Sequence, residues 1–375
     1  MAQQDTKEYN EKTLFETVSK IEKKSDKFNL YLNMHGSFNA RFNDGDFTQG
    51  AFQMDQLRIE AKGNVNSWLY YRWRQRLNRP NNASGSIDNM PTSIDYAAIG
   101  VRPTSAFSIL MGKQCTVYGG FEFDLNPIDI YEYSDMIDNM SNFMTGVNFS
   151  YDFAKSQQLQ FQILDSRNNS FEDTYGKLPS DIKDSKMPLV YSLNWNGSFA
   201  DGMVNTRWSA SILNEAKGEN MYYYAFGTEL NLDKVNTFFD VMYSREDIDR
   251  KGIMTGIINS DLGERTGYTA LGAEYLSLVW KLNYRVAPKW NLFVKGMYET
   301  AGLSKNNELR EKGKYRTSWG YLGGVEYYPM KSNLHFFLTY IGRSYQYTDL
   351  GKARGFDNYN TSRISTGFIY QLPMF

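Results

Sequence analysis

KFNLYLNMHGSFNARF, residues 27–42, decides how this chain folds. Its even positions are Phe28, Leu30, Leu32, Met34, Gly36, Phe38, Ala40 and Phe42. Its odd positions from 29 on are Asn29, Tyr31, Asn33, His35, Ser37, Asn39 and Arg41. Successive side chains of a strand point to opposite faces, so one face is wholly apolar and the other polar. Strands of soluble proteins usually run about 5–6 residues. A tilted membrane-crossing strand needs about 9–11, which this stretch exceeds.

The pattern recurs along the chain. Leu69, Tyr71, Trp73 and Leu77 share one face; Tyr70, Arg72, Arg74 and Arg76 share the other. Residues 143–153, 276–286 and 290–300 repeat it, with Lys281, Arg285, Lys295 and Glu299 on the polar face. Sixteen strands are expected, over 27–42, 50–62, 67–78, 94–101, 106–114, 142–153, 157–166, 188–199, 203–213, 220–232, 235–244, 270–286, 290–300, 315–328, 333–347 and 359–375. An even number suits a closed bacterial barrel. Short connectors, such as 63–66 and 233–234, alternate with long ones, such as 115–141 and 245–269. Two more, 43–49 and 214–219, are of intermediate length. Short turns at one end and long loops at the other describe an outer-membrane β-barrel over 27–375, with both termini on the periplasmic side. The competing architecture is a soluble sandwich or a large lipocalin-like barrel. Sixteen long amphipathic strands would then have to fill one core.

Composition agrees. The 375 residues carry 41 Lys+Arg and 42 Asp+Glu, a net charge of −1 that argues against a nucleic-acid binder. With 28 Tyr, 24 Phe and 7 Trp against 9 Pro, strands are favoured over helices. No run approaches the roughly 18 apolar residues of a membrane helix. The mean hydropathy of −0.55 is compatible with a barrel, whose strands alternate. One cysteine, Cys115, allows no internal disulfide. Neither a cofactor nor a metal site is expected. MAQQDTKEYN has no basic n-region or apolar h-region, so an exported chain is expected to have lost its signal already. Residues 1–26 read as a periplasmic arm or short helix.

Phase assigns the charges. The inward face is expected to carry Arg41, Arg58, Lys62, Arg72, Arg74, Arg76, Arg207, Lys281, Arg285, Lys295, Arg316, Arg343 and Arg363. Its acids are Glu60, Asp152, Glu229, Asp240, Glu299 and Glu326. On the spans with clearest phase the outward face has no charge. A lipid-facing charge at mid-depth costs up to about 2–4 kcal/mol, so this segregation is expected of a spanning strand. Inward charges require water, which makes the barrel a channel or a plugged channel rather than a packed barrel. Arg72, Arg74 and Arg76 form a ladder of planar, permanently charged groups suited to anions. The longest connector, 115–141, carries Glu122, Asp124, Asp129, Glu132, Asp135 and Asp138 and no Lys or Arg. Folded inward as a third extracellular loop, it would set a transverse field against the arginine wall. As a surface loop it would instead meet divalent ions and lipopolysaccharide.

The stretches 27–42, FQMDQLRIEAKGNV (52–65), WLYYRWRQRLNRP (68–80) and LMGKQCTVYGGFEF (110–123) resemble the phosphate-selective porin O and P family, in its Bacteroidetes branch. The resemblance implies a sixteen-stranded outer-membrane porin, a homotrimer, with the arginines as an anion staircase. A phosphate-selective member is expected to place lysines near the constriction, whereas this loop is acidic. The expected function is passive diffusion of small hydrophilic solutes and ions. The alternatives are a channel specific for phosphate, other anions or oligosaccharides, and a plugged barrel serving as adhesin or scaffold. Enzyme motifs such as HExxH and CxxC are missing from the sequence.

Overall fold

In the computed structural model, which describes residues 25–81, 87–260, 267–306 and 310–374, sixteen strands close into one antiparallel barrel. They are β1 (Asn29–Asn43), β2 (Asp46–Asn64), β3 (Leu69–Arg76), β4 (Ile94–Val101), β5 (Phe107–Cys115), β6 (Phe143–Ala154), β7 (Gln157–Asp165) and β8 (Leu189–Phe199). The second half comprises β9 (Val204–Ala216), β10 (Glu219–Asn231), β11 (Val235–Ile248), β12 (Leu271–Ala287), β13 (Trp290–Leu303), β14 (Gly313–Tyr327), β15 (His335–Tyr347) and β16 (Tyr359–Pro373). Each strand pairs with its sequence neighbours, and β1 meets β16 from Tyr31↔Pro373 to Asn43↔Thr361. Closure leaves no edge strand, which a lipid environment demands of any spanning sheet. Pro373 sits within the register. The expected arm over 1–26 lies, except for its last two residues, outside the described residues, as does Phe375.

The intermediate connectors are in fact two-residue turns. Asp44 and Gly45, with φ of 47° and 93°, join β1 to β2. Positive φ at both central positions is the hairpin geometry matching the twist of the strands. Lys217 and Gly218 join β9 to β10, with positive φ, 87°, at Gly218 alone. β2 and β9 therefore start or end several residues beyond the expected bounds.

The phase of β1 follows the sequence: Asn29, Asn33, His35 and Asn39 are buried inside the barrel. The outer face is apolar, with Phe161, Leu193, Trp208, Phe226, Phe239, Trp280, Leu292, Trp319 and Leu338 all exposed on the isolated chain. An apolar, aromatic exterior is what a membrane barrel presents to lipid.

The interior departs from a uniformly wet lumen. Toward the long-loop end, β8–β15 turn apolar side chains inward as well as outward. Val190, Leu213, Met221, Tyr223, Phe238, Met242, Val279 and Met297 form one buried cluster. A short helix from the β11–β12 loop, Ile253–Ile258, packs Met254, Ile257 and Ile258 against it, and so do Met136, Ile137 and Met140 of the β5–β6 loop. Part of the barrel is thus filled by a true hydrophobic core.

Candidate functional site

The β5–β6 connection, 116–142, is built to cross the barrel rather than leave it. The backbone N–H groups of Phe121 and Glu122 donate to Asp240 on β11, at 2.9 and 2.8 Å. Farther along, Tyr131 stacks on Phe293 of β13 at 4.8 Å, and its hydroxyl donates to Glu326 of β14 at 2.8 Å. Ile128 and Tyr131 join Phe293, Leu322, Phe337, Ile341 and Ile369 in a second apolar cluster. Aromatic anchors of this kind fix a loop because ring burial and one hydrogen bond come together.

The loop acids pair with bases of β9 and β13–β16. Glu122 is fully buried; Lys295 donates to it, as do Ser134 N at 2.9 Å and Ser134 Oγ at 2.5 Å. Lys295 also donates to the Glu132 carbonyl at 2.6 Å. Asp124 meets Arg207 at 2.6 Å. Arg343 takes Glu132 at 3.2 Å, Asp135 at 2.6 Å and Glu299 at 3.0 Å, and donates to the Tyr133 carbonyl. Arg363 takes Glu132 at 3.1 Å, and Arg316 takes Asp135. Asp138 is exposed. Asp129 lines a cavity, where burial pushes its carboxyl up to about 6.

The ladder finds other partners. Arg72 donates to Glu60 at 2.8 Å and lies over the Tyr96 ring at 3.8 Å. One carboxylate, Asp95 on β4, binds Arg58 at 2.7 Å, Arg74 at 3.0 Å and Arg76 at 2.8 Å. Strand acids, not the loop acids, pair with the ladder. Among the described residues Arg41 reaches only Gln53, at 3.2 Å. Arg285 meets Asp233 at 3.5 Å, beside a short turn. Lys281 is buried near Phe293 and makes no ion pair among the described residues.

Asp95 and Asp55 are the residues that sequence phase misses. Plain alternation puts Asp95 on the face of Ile99, which is outward and exposed. A bulge intervenes: Arg74 pairs with Tyr96, but Gln75 pairs with Ile94. The extra residue turns Asp95 into the lumen. On β2, His35 pairs with Gln56 and Gly36 with Met54, so Asp55 is the bulged residue. It accepts from Ser37 Oγ and lies 3.7 Å from His35 Nε2. A bulge carries no reliable mark in a single sequence. The one available hint was an acid on an otherwise apolar phase, Asp95 with Ala97, Ile99 and Val101.

Two cavities flank the loop. The larger, about 630 Å³, reaches Gln160, Arg207, Glu229, Asn283, Asn291 and His335 near the short-turn end. The smaller, about 230 Å³, is lined by His35, Asn39, Asp55, Gln56, Arg363 and Ser365 with loop residues 130–133 and Asp138. Tyr133 borders both.

A closed sixteen-strand barrel with an apolar exterior and a charged interior crossed by a loop has the architecture of a bacterial outer-membrane porin. The chain belongs to the phosphate-selective porin O and P family, whose sequence model matches residues 28–372. A search of curated protein sequences finds no match. Among solved structures, the fold is similar to the outer-membrane channel DcaP of Acinetobacter baumannii, with a TM-score of 0.62 at 12% identity, covering 92% of this chain and 97% of that one. It is also similar to Salmonella typhi OmpF, crystallised with daunomycin, at TM-score 0.59 and 13% identity over 92% and 98% of the two chains. A third likeness is the anion-selective porin from Comamonas acidovorans, at TM-score 0.55 and 8% identity over 92% and 99%. Family and fold together support an outer-membrane porin channel.

Proposed function

We propose that the chain is a passive diffusion channel for small hydrophilic solutes and ions, narrowest where loop 116–142 passes the arginine wall of β2–β3. The observation that carries this reading is Tyr133, which borders both cavities and lies within electrostatic reach of Arg58, Arg74 and Arg76. Five bases on that wall, Arg58, Lys62, Arg72, Arg74 and Arg76, share two carboxylates, Glu60 and Asp95. The wall keeps a positive excess and faces a loop of six acids, four of them paired with bases of β9 and β13–β16. Such a pair of surfaces orients water and polar solutes in transit, while apolar solutes lose hydration without return. No energy coupling is needed.

The test is a planar-bilayer recording in a salt gradient. Arg74→Glu reverses one charge on the wall and is expected to shift the reversal potential toward cations. An unchanged potential would remove the ladder from the conducting path.

Homotrimeric assembly is part of the proposal, supported by a fold shared with Vibrio cholerae OmpT, whose structure includes a trimer form. The mass of the detergent-solubilised particle decides it; a monomeric mass would refute it. The apolar exterior faces lipid, and the rim of long loops faces lipopolysaccharide. A second reading, a plugged barrel serving as surface adhesin or scaffold, draws on the apolar core in the long-loop half. Closed channels in the same recording would favour it.

A further inference from the structure

The larger cavity combines features that small ions do not need. Nine of its lining side chains are Asn or Gln, set among paired charges, so its free hydrogen-bonding capacity is mostly uncharged. The amides stand on two opposite walls: Gln114, Asn148 and Gln160 on β5–β7, and Asn283, Asn291 and Gln371 on β12, β13 and β16.

Gln114, Gln160 and Gln371 already accept through their amide oxygens, whereas Asn148, Asn283 and Asn291 leave acceptor capacity unused. Asn148 donates through Nδ2 to Ser150 at 3.3 Å, and its Oδ1 has no partner although the residue is only 6% exposed. Asn283 donates to Asn236 at 3.1 Å and Asn291 to Glu326 at 2.8 Å; neither carbonyl oxygen accepts a hydrogen bond among the described residues. A buried amide oxygen without a partner is costly, roughly 1–3 kcal/mol, and a ligand that donates to it recovers that cost.

Most charges nearby are engaged; Lys281 and Asp129 line the cavity without an ion pair among the described residues. Glu60 holds Arg72, and Asp124 holds Arg207. Glu326 accepts from Tyr131, Tyr328 and Asn291. An anion would meet the unpaired base Lys281 beside the unpaired acid Asp129, and an apolar ligand would leave the oxygens of Asn148, Asn283 and Asn291 without a donor. Phe123 and Phe143 line the same space and offer apolar ring area beside the polar walls. The volume, about 630 Å³, lies within the range of small-molecule sites, roughly 300–1,000 Å³.

From this geometry we infer that the cavity on the short-turn side of the loop is a binding subsite for a neutral polyhydroxylated solute, a short saccharide, on its way through the channel. Several hydroxyl donors on one molecule match several amide acceptors on two walls, and ring faces match C–H surfaces. The inference rests on the channel reading for its physiological meaning, but binding itself can be measured without conduction.

The probe is maltotriose, with polyethylene glycol of matching size as the non-binding control. Calorimetry on the detergent-solubilised protein is expected to show saturable heat with maltotriose and none with the polymer. In single-channel recordings maltotriose is expected to interrupt the current saturably, while the polymer lowers it in proportion to concentration. Asn148→Leu is expected to raise the half-saturating concentration about three- to tenfold, the loss of one neutral hydrogen bond. Asn291→Leu, on the opposite wall, should act in the same direction. The gel shift of the heat-denatured barrel verifies that each variant is folded. Equal, non-saturating behaviour of sugar and polymer would overturn the inference, as would affinity unchanged in both variants, or saturable block by spermidine but not by maltotriose. Binding without conduction would instead refute the channel reading and leave the subsite standing.

Discussion

Asp95 holds the arginine wall together. It is fully buried and satisfies three guanidinium groups at 2.7–3.0 Å. Removing one partner of a buried ion pair leaves uncompensated charge, at a cost of about 3–5 kcal/mol. Asp95→Asn is therefore expected to lower stability by about that amount in denaturant unfolding followed by the barrel's gel mobility. A loss below about 1 kcal/mol would show that the arginines are solvated rather than held. Asp129 sets the acid response. Burial lifts it to about 6 from its ordinary 3.8, with His335, Lys281 and Glu326 facing it. Because the folded value is raised, its contribution to stability is fully present below about pH 3.8 and lost as pH rises through about 6. Over the same rise the cavity gains one negative charge. Cation permeability is expected to increase between about pH 5 and 7, and Asp129→Asn should abolish that step. A step that survives in the variant would belong to another group.

At the scale of elements, period-two alternation made the barrel legible. β1, β6, β12 and β13 begin or end within a residue or two of where their apolar faces do. Strand number, pairing order and the long and short ends all follow from that pattern. What alternation cannot carry is a residue out of phase. Asp55 and Asp95 reach the lumen through bulges, and the Asp44–Gly45 hairpin is tighter than the polar residues around it suggest. The apolar inner faces of β10 and β11 were equally hidden, because a run such as Met221–Phe226 shows no alternation. Those faces are covered by loops distant in sequence, a tertiary fact. The loop across the barrel depends on Glu122, Lys295 and Tyr131. Lys295→Ala leaves Glu122 buried without its cation, so the loop should loosen. Single-channel traces are expected to show added conductance levels, whereas a trace as quiet as wild type would mean that the aromatic anchors alone suffice.

Across the whole molecule, a net charge of −1 hides a sorted arrangement. The exterior is aromatic and aliphatic. One wall of the lumen keeps a positive excess, and the loop opposite is acidic. The long-loop half is partly packed with apolar side chains. The central claim is that solutes pass between Tyr133 and the ladder. Introducing Tyr133→Cys, with Cys115→Ser to remove the native thiol, allows a charged thiosulfonate to be attached at that point during a bilayer recording. The account predicts that labelling sharply reduces conductance, from whichever side the reagent is added. Complete labelling by mass with conductance unchanged would contradict it.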